Sequence, residues 1–443
     1  MSFVSISFLF VSGSKTEARA GDTIAYAENK GKSTVVIIAA PTLIHRLVAE
    51  AVTTHPKTRA ADERTQAARA GIRSIRLWED PQLGLGYMAA ERSMQQEDGD
   101  IIVSAEQALP RFGLYKAEKR KAVAEFRAQN ASIQLNANEL GLSVAQAAVE
   151  LALADEVIRL QTENLSWLST IVHTAEERAK NPDGTAAESL KLQSELAIRQ
   201  QTLASAQRMR AQFARRLNIL LGRGPLSTWQ PLYLPAKMPQ LPGISAVHDQ
   251  LERTNPQLAA LRHMTEGADA EIDMAKEKKK PVFSVGVESN TYSGASGMSV
   301  DQRSTVVTMK MSLPWLNNEA YRADVRKAEH LRRAAQSDLE AEARKLLTQS
   351  TELLTDAENN RRLVEAYSRD ILPKTEQAVS TIADAWISSK ATLLDVLDAR
   401  RSYLDARQEQ MRALAARHVS YYSFSATMGT LAVVKEKEKE GRP

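Results

Sequence analysis

Three aspartates, Asp395, Asp398 and Asp405, recur along the segment TLLDVLDARRSYLDARQEQMRALAA, residues 392–416. At about 100° per residue they lie on one side of a helix, and an apolar seam lies on the other. The seam consists of Leu393, Leu397, Leu404, Met411 and Leu414, and Ser402 and Glu409 join the aspartates. Such carboxylates form either an ordinary solvated face or, if copies converge, a ring that attracts cations. The minimum inference is a coiled-coil helix with one polar face.

The composition favours long helices over large globular cores. Of the 443 residues, 25% are charged and only 5% are aromatic, and there are 19 glycines. Tracts rich in Ala, Glu, Arg, Gln and Leu form extended helices that pack through thin seams. The 58 basic and 54 acidic residues nearly balance, so we expect no nucleic-acid partner.

Several kinds of chemistry are excluded or unsupported by the residue types. The chain has no cysteine, which excludes disulfides, thiolate metal sites and cysteine nucleophiles. The seven histidines are scattered, without the i, i+3 or i+4 pairs of a ready zinc site. Phosphate-binding glycine loops and nucleophile triads are not recognisable. We therefore predict no enzymatic activity, no metal and no cofactor.

The first 41 residues read as an N-terminal segment with some features of an export signal. Residues 3–11 are apolar, and Ala18 and Ala20 resemble a cleavage site, although the usual preceding basic residues are missing. An ordinary disordered end is the alternative. The run TVVIIAAPTLI, residues 34–44, is too short for a membrane-spanning helix, which takes about 20 apolar residues, and it contains a proline.

An internal repeat organises the rest of the chain. HPKTRAADERTQAARAGI from His55 aligns with NPQLAALRHMTEGADAEI from Asn255, and PQLGLGYMA from Pro81 aligns with PVFSVGVES from Pro281, both at a spacing of 200 residues. IIVSAEQALPRFG also matches VVTMKMSLPWLNN, with Leu109-Pro110 and Leu313-Pro314 at a spacing of 204. Prolines at 225, 231, 235, 239 and 242 mark a connector between the two copies, because proline ends helices and central strands.

Each copy contains two predicted strands and long helices. The strands alternate apolar and polar residues, as in Phe283, Val285 and Val287, and each is about ten residues long, enough for a tilted strand to cross a bilayer. Helical pattern then runs from about residue 113 to 180 and from about 317 to 372. The predicted organisation is an N-terminal segment (1–41), a first repeat (42–223, strands near 82–90 and 100–109), a connector (224–250), a second repeat (251–431, strands near 281–291 and 303–313) and a charged tail (432–443).

Four strands cannot close a membrane barrel, which needs at least about eight, whereas three chains would supply twelve. This layout resembles the TolC family of outer-membrane efflux proteins, as do NPQLAALR, PVFSVGV, MSLPWLNNEAYRADVRKAE and TLLDVLDARRSYLDARQEQMRALA. The resemblance implies a mainly α fold with a small β part, in which a homotrimer forms a 12-stranded β-barrel in the outer membrane. A long helical barrel continues it into the periplasm. A periplasmic adaptor and an inner-membrane pump, of heavy-metal RND type, are the implied partners of this passive exit duct.

The resemblance also implies site residues. Asp395 and Asp398 match the aspartates that close the family's tunnel, although Ser389, Ala391 and Trp386 stand where a well-studied branch has glycine, a basic residue and tyrosine. Other candidates are the tip-turn and adaptor-contact residues Gly184, Trp386, Ser389 and Lys390, and the lumen-facing strand residues Glu106, Glu288 and Lys310. A solvated turn at Gly184 and a loop-proximal ion pair of Glu106 or Lys310 are the alternatives.

Two further alternatives remain open. Phe112 and Trp315 follow the prolines at the strand-to-helix junctions, as interfacial aromatics or as core residues beneath the barrel. The channel could instead serve drug efflux or type I secretion. A soluble coiled-coil scaffold is the rival from a different class, and it predicts little sheet.

Overall fold

The computed structural model describes residues 24–29, 32–89, 98–179, 186–292 and 302–432. Within these residues the fold is mainly helical with a small β part, as the composition predicted. Gly184 and the charged tail lie outside the described residues. None of the described helices combines the length and the apolar character needed to cross a membrane.

The first repeat begins with a short helical pair and two strands. They are followed by a helix of 68 residues, whose long Ala-, Glu- and Leu-rich run contains few helix breakers. The elements are α1 (Pro41–Thr54), α2 (Pro56–Ser74), β3 (Gln82–Ala89), β4 (Asp98–Ala108), α3 (Phe112–Ala179) and α4 (Ala186–Leu221), and they are preceded by β1 (Ile24–Asn29) and β2 (Lys32–Ile38).

The connector and the second repeat follow the same order. The elements are β5 (Leu232–Tyr233), α5 (Ile244–Thr254), α6 (Pro256–Lys278), β6 (Phe283–Tyr292), β7 (Gln302–Met311), a 3₁₀ turn (Pro314–Asn317), α7 (Asn318–Ala366), a π-helical segment (Tyr367–Ile371), α8 (Leu372–Ile387) and α9 (Leu393–Thr427). The sequence predicted a long helix to about residue 372, but helical backbone continues through the π segment to Ile387.

The four long strands form one antiparallel sheet in the order β3-β4-β6-β7. Below it, α2, α3, α6 and α7 are neighbours in the same order. Each strand is joined to one of these helices: α2 leads into β3, β4 into α3, α6 into β6 and β7 into α7. The sheet therefore continues strand by strand into a wall of helices.

A second sheet joins the N-terminal segment to the connector. It has the order β1-β2-β5, and β2 pairs in parallel with β5 through Ile37–Leu232 and Ile38–Tyr233. The sequence had assigned residues 24–38 to the N-terminal segment without strands. A two-residue strand such as β5 carries no alternation by which to predict it.

The main core lies where α1, α3, α4, β5 and α9 meet. Gly141 of α3 permits this meeting, because a Cβ there would lie 2.9 Å from Cγ1 of Val48. Asp155 ties the connector to α3, since its carboxylate accepts a hydrogen bond from the Leu232 backbone N–H (2.9 Å) and pairs with Arg210. Large buried members of this core include Ile44, Leu151, Leu217, Leu232 and Tyr422.

Candidate functional site

The turn between α8 and α9, at the tip of the second helical hairpin, holds the predicted constriction residues. Ser389 in this turn has a φ of +57°, the left-handed conformation that favours glycine. Its backbone N–H donates to the Trp386 carbonyl (3.0 Å), and that of Lys390 donates to the Ala385 carbonyl (2.7 Å). The turn after α8 therefore places a serine in the left-handed backbone conformation.

Asp395 is held in a capping box at the start of α9. Its Oδ2 accepts hydrogen bonds from the Thr392 backbone N–H (2.9 Å) and the Thr392 hydroxyl (2.7 Å). In return, the Asp395 backbone N–H donates to Thr392 Oγ1 (3.2 Å). The Thr392 hydroxyl, and secondarily its N–H, lowers the pKa of the Asp395 carboxyl. Asp395 is therefore a structural carboxylate as well as a charge at the tip.

Asp398 lies one turn further along α9 and is exposed. Its Oδ1 is 3.9 Å from Nη1 of Arg401, a loose ion pair between two exposed side chains. Asp405 is also exposed on this helix. Of the three aspartates, Asp398 and Asp405 are therefore free of the cap that engages Asp395.

The buried side of the tip is a hydrophobic cluster around Trp386, which is 1% exposed. Its other buried members are Leu168, Ile171, Val172, Ala175, Leu192, Leu393 and Val396. The buried face of α9 differs from the predicted apolar seam. Val396, which was not predicted, is fully buried, whereas the predicted residues Leu397 and Leu414 are only half-buried. Of the predicted contact residues at this turn, Ser389 and Lys390 are exposed, whereas the Trp386 side chain is enclosed by its own chain.

Arg178, at the end of α3, joins the first hairpin to this turn. Its Nη1 donates to the Trp386 carbonyl (2.5 Å) and its Nη2 donates to the Ser389 hydroxyl (3.1 Å). The guanidinium also lies 4.8 Å from the centre of the Trp386 ring, within cation–π range. Sequence reasoning missed Arg178, because its partners are about 200 residues away and no local pattern links them.

A second arginine positions α9 against α3 just beyond the aspartates. Arg400 Nε donates to Oδ1 of the buried Asn164 (2.9 Å), and its guanidinium lies 4.7 Å from the Trp167 ring and 5.1 Å from the Tyr403 ring. Burial lowers the pKa of Arg400. This cluster was also missed, although the spacing of Arg400 and Tyr403 on one helix face was a usable signal.

The sheet places the three predicted lumen residues on one face. The register aligns Glu106 with Gly286, Glu288 with Ser104, and Lys310 with Ser284. Lys310 Nζ lies 2.6 Å from Glu106 Oε2, and the Ser284 hydroxyl donates to Glu106 Oε1 (2.7 Å). Gly286 is enclosed here, because a Cβ would lie 2.7 Å from Thr308 Oγ1. The ion pair therefore spans β4 to β7 across the sheet.

The opposite face of the sheet is apolar and exposed. Leu85 is 85% exposed and Val307 is 72% exposed. Leu83, Tyr87, Ile101, Val103, Val285, Val287, Met309 and Met311 share this face and are also exposed. Such a continuous apolar surface needs a non-aqueous neighbour.

Comparison with known proteins finds a family match in the second repeat and solved structures of the same fold. Residues 247–430 match the family model described as outer membrane efflux protein. The fold matches the outer-membrane channel OprN with a TM-score of 0.76 and 18% identity, over 94% of this chain and 98% of that chain. The second repeat is therefore similar in sequence to the outer membrane efflux protein family, and the chain as a whole has the fold of an outer-membrane channel. No curated protein matches its sequence.

Two other solved structures share the fold. CusC, whose structures describe folding and transmembrane channel formation, matches with a TM-score of 0.74 and 18% identity, over 88% of this chain and 92% of that chain. VceC, an outer-membrane protein of Vibrio cholerae, matches with a TM-score of 0.73 and 17% identity, over 88% and 96%. The three structures thus share one fold with this chain over most of its length.

Proposed function

We propose that this chain is a TolC-family efflux protein, three copies of which form a 12-stranded barrel continued by a helical conduit, the passive exit duct of a tripartite efflux system. The observation that carries the proposal is the four-stranded sheet with its exposed apolar face, its opposite face bearing Glu106 and Lys310, and its direct continuation into a helical wall. A face toward lipid and a face toward water are what a porous barrel requires.

The edges of the sheet support association of several copies. Among the strands that the structure describes, β3 and β7 each have one neighbour, so each presents a sheet edge of backbone N–H and C=O groups. In lipid such groups cost several kcal/mol each, because no water is available to bond them. Pairing β3 of one copy with β7 of the next removes every edge, and three copies give the twelve strands of the proposed barrel.

The constriction is the second part of the proposal. Asp395 and Asp398 lie next to the tip turn, so a trimer would place six carboxylates around one axis. Such a ring favours cations and resists anions. Both carboxylates are exposed, but Asp395 is engaged in the cap of α9, so we assign Asp398 the larger share of the selectivity.

The partners are proposed from the family role. A periplasmic adaptor would meet the helical tips, where Ser389 and Lys390 are exposed in the second turn; Gly184, which the sequence predicts for the first tip, lies outside the described residues. The inner-membrane pump would supply the cargo. We propose a heavy-metal RND pump, because the sequence as a whole most resembles the heavy-metal efflux members of the family. Drug efflux and type I secretion are the alternatives, and survival of a deletion strain on metal salts and on drugs separates the three.

An engineered disulfide tests the closed trimer. Because the natural chain has no cysteine, Gly86→Cys on β3 can be combined with Val306→Cys or Thr308→Cys on β7 without background. These edges are about 14 Å apart within one sheet, at 4.8 Å per strand, too far for a bond within one chain. We expect a covalent trimer on non-reducing gels and ion conductance in planar bilayers. Monomers that do not conduct would refute the proposed function, and each single-cysteine variant is the control.

A further inference from the structure

We propose that a basic cluster at the junction of α6 and α7 with the sheet binds the headgroups of anionic phospholipids in the periplasm-facing leaflet of the outer membrane. We call it the α6–α7 basic cluster, and its residues are Lys276, Lys278, Lys279, Arg322, Arg326 and Lys327. The inference rests on the proposed function, since it takes the sheet to lie in that membrane.

The cluster lies at a defined level of the molecule. Trp78 precedes β3 by four residues, Phe112 follows β4 by four, and Trp315 follows β7 by four. Each of these aromatic side chains is more than half exposed, at 52%, 60% and 55%. At the fourth junction the equivalent position, four residues before β6, is Lys279. Exposed aromatic residues beside an apolar band mark the boundary between hydrocarbon and water, so Lys279 lies at headgroup level.

The side chains of the cluster are arranged around a groove. Lys276 and Lys279 from the end of α6 and Arg322 and Arg326 from the first turns of α7 line a space of about 500 Å³, together with Glu319 and Val325. Two ammonium and two guanidinium groups from separate helices therefore converge on one space. Guanidinium groups bind phosphate oxygens in pairs, and ammonium groups add point charges.

Within the described part of the chain, the cluster keeps an excess of positive charge. Across residues 276–280 and 319–327, seven basic residues accompany three acidic ones. Lys280 pairs with Glu277 (2.6 Å) and Arg322 lies 3.7 Å from Glu319. No described carboxylate lies within ion-pairing distance of Lys276, Lys279 or Arg326. By contrast, Arg120 and Lys121 at the start of α3 pair with Asp273 and Glu271 of α6.

The internal repeat indicates that the fold does not require this charge. The segment KEKKK, residues 276–280, occupies the place of RLWED, residues 76–80, in the first copy. The first-copy segment is slightly acidic and leads equally well into a strand. The excess of lysine in the second copy therefore serves something other than the helix-to-strand connection, and a negatively charged surface at this level is the complementary partner.

Lipid retention tests the proposal. The full-length protein is reconstituted in nanodiscs of phosphatidylethanolamine with phosphatidylglycerol or cardiolipin, then extracted and examined by native mass spectrometry. We expect the anionic lipids to be retained at least threefold over phosphatidylethanolamine, and 0.5 M salt to reduce the ratio. The variant Lys279→Gln, Arg322→Gln, Arg326→Gln should lose the preference, with Lys279→Gln alone intermediate. A matched variant, Lys191→Gln, Arg208→Gln, Arg215→Gln, removes three exposed charges from α4 and should keep it.

The outcomes separate this proposal from the proposed function. Equal retention of both lipid types by the natural protein, or an unchanged preference in the triple variant, overturns the lipid site. A shift of ion selectivity in the triple variant with unchanged lipid retention overturns it too, because the cluster would then line the conduit. Planar-bilayer conductance on the same samples reports the channel itself, which stands or falls independently of lipid preference.

Discussion

The guanidinium of Arg178 crosses the helical tip to reach the hydroxyl of Ser389, 211 residues further along the chain. This contact joins the end of the first helical hairpin to the turn of the second. Movement of the second turn relative to the first must break it, together with the bond from Arg178 to the Trp386 carbonyl. Arg178 is therefore the residue through which we expect the conformation of the tip to be set.

Removing the Arg178 side chain should loosen the tip. Arg178→Ala deletes two hydrogen bonds and a cation–π contact, a loss of about 1–3 kcal/mol. We expect higher single-channel conductance in planar bilayers, with Arg178→Lys intermediate because an ammonium cannot make the forked contact. Arg208→Ala on α4 is the control, and identical conductance in all variants would show that Arg178 does not restrain the opening.

Ser389→Gly should act differently with and without Arg178. Glycine removes a left-handed strain of about 1–2 kcal/mol, but it adds backbone entropy of about 0.5–1 kcal/mol to the unfolded chain. It also deletes the hydroxyl that accepts from Arg178. We will see this in a double-mutant cycle that measures the free energy of unfolding in urea. The change caused by Ser389→Gly should be more stabilising in the Arg178→Ala background, by about 0.5–1.5 kcal/mol, than in the natural protein. Additive effects would mean that the hydroxyl contact contributes nothing.

Substitution of Asp395 should lower the stability of the protein, whereas substitution of Asp398 should change only its ion selectivity. Asp395→Asn and Thr392→Ala weaken the capping box, at a cost of about 0.5–2 kcal/mol in unfolding free energy. Asp398→Asn should leave stability unchanged and reduce cation selectivity, measured as the reversal potential across a salt gradient. A reversal potential unaffected by both Asp398→Asn and Asp395→Asn would assign the two carboxylates to a solvated face.

Glu106 and Lys310 should have opposite effects on ion selectivity. Glu106→Gln leaves the Lys310 ammonium without its 2.6 Å partner and should favour anions, whereas Lys310→Gln should favour cations. The double variant removes both charges and should return toward the natural reversal potential. If neither single variant shifts the reversal potential, the pair does not face the conduit.

His418 should make the protein less stable in acid. Burial lowers its pKa to about 4, and its Nε2 lies 2.9 Å from the Pro235 carbonyl of the connector. Between pH 6.5 and 4 the unfolded state binds more protons at this residue, so stability falls as the pH falls through this window. Between pH 7 and 4.5, we expect the free energy of unfolding in urea to fall by about 2–3 kcal/mol more for the natural protein than for His418→Gln. Parallel pH profiles of the two proteins would contradict this assignment.

The sequence was sufficient for the features that depend on local pattern. Alternation revealed the four strands of the main sheet, and helical periodicity with few breakers revealed α3 and α7. The capping box of Thr392 and Asp395 was not predicted, although the spacing of these two residues was a usable signal for it.

The features that depend on distant contacts were not accessible in this way. Arg178 is one of 58 basic residues, and only the packing of α3 against the second hairpin distinguishes it. Trp386 was expected at a contact surface because it lies near a turn, but its large apolar ring is buried under that turn. The pairing of β2 with β5 joins segments almost 200 residues apart, so no local pattern predicted it.

The π-helical segment Tyr367–Ile371 keeps the buried residues of α7 and α8 on one continuous face. Buried positions on α7 recur every seven residues at Ser350, Ala357 and Val364, and those on α8 recur every seven at Leu372, Val379 and Trp386. The one interval of eight, from Val364 to Leu372, spans the π segment. The wide π turn therefore accommodates one extra residue. As a result, Trp386 at the tip lies on the same buried face as Ser350.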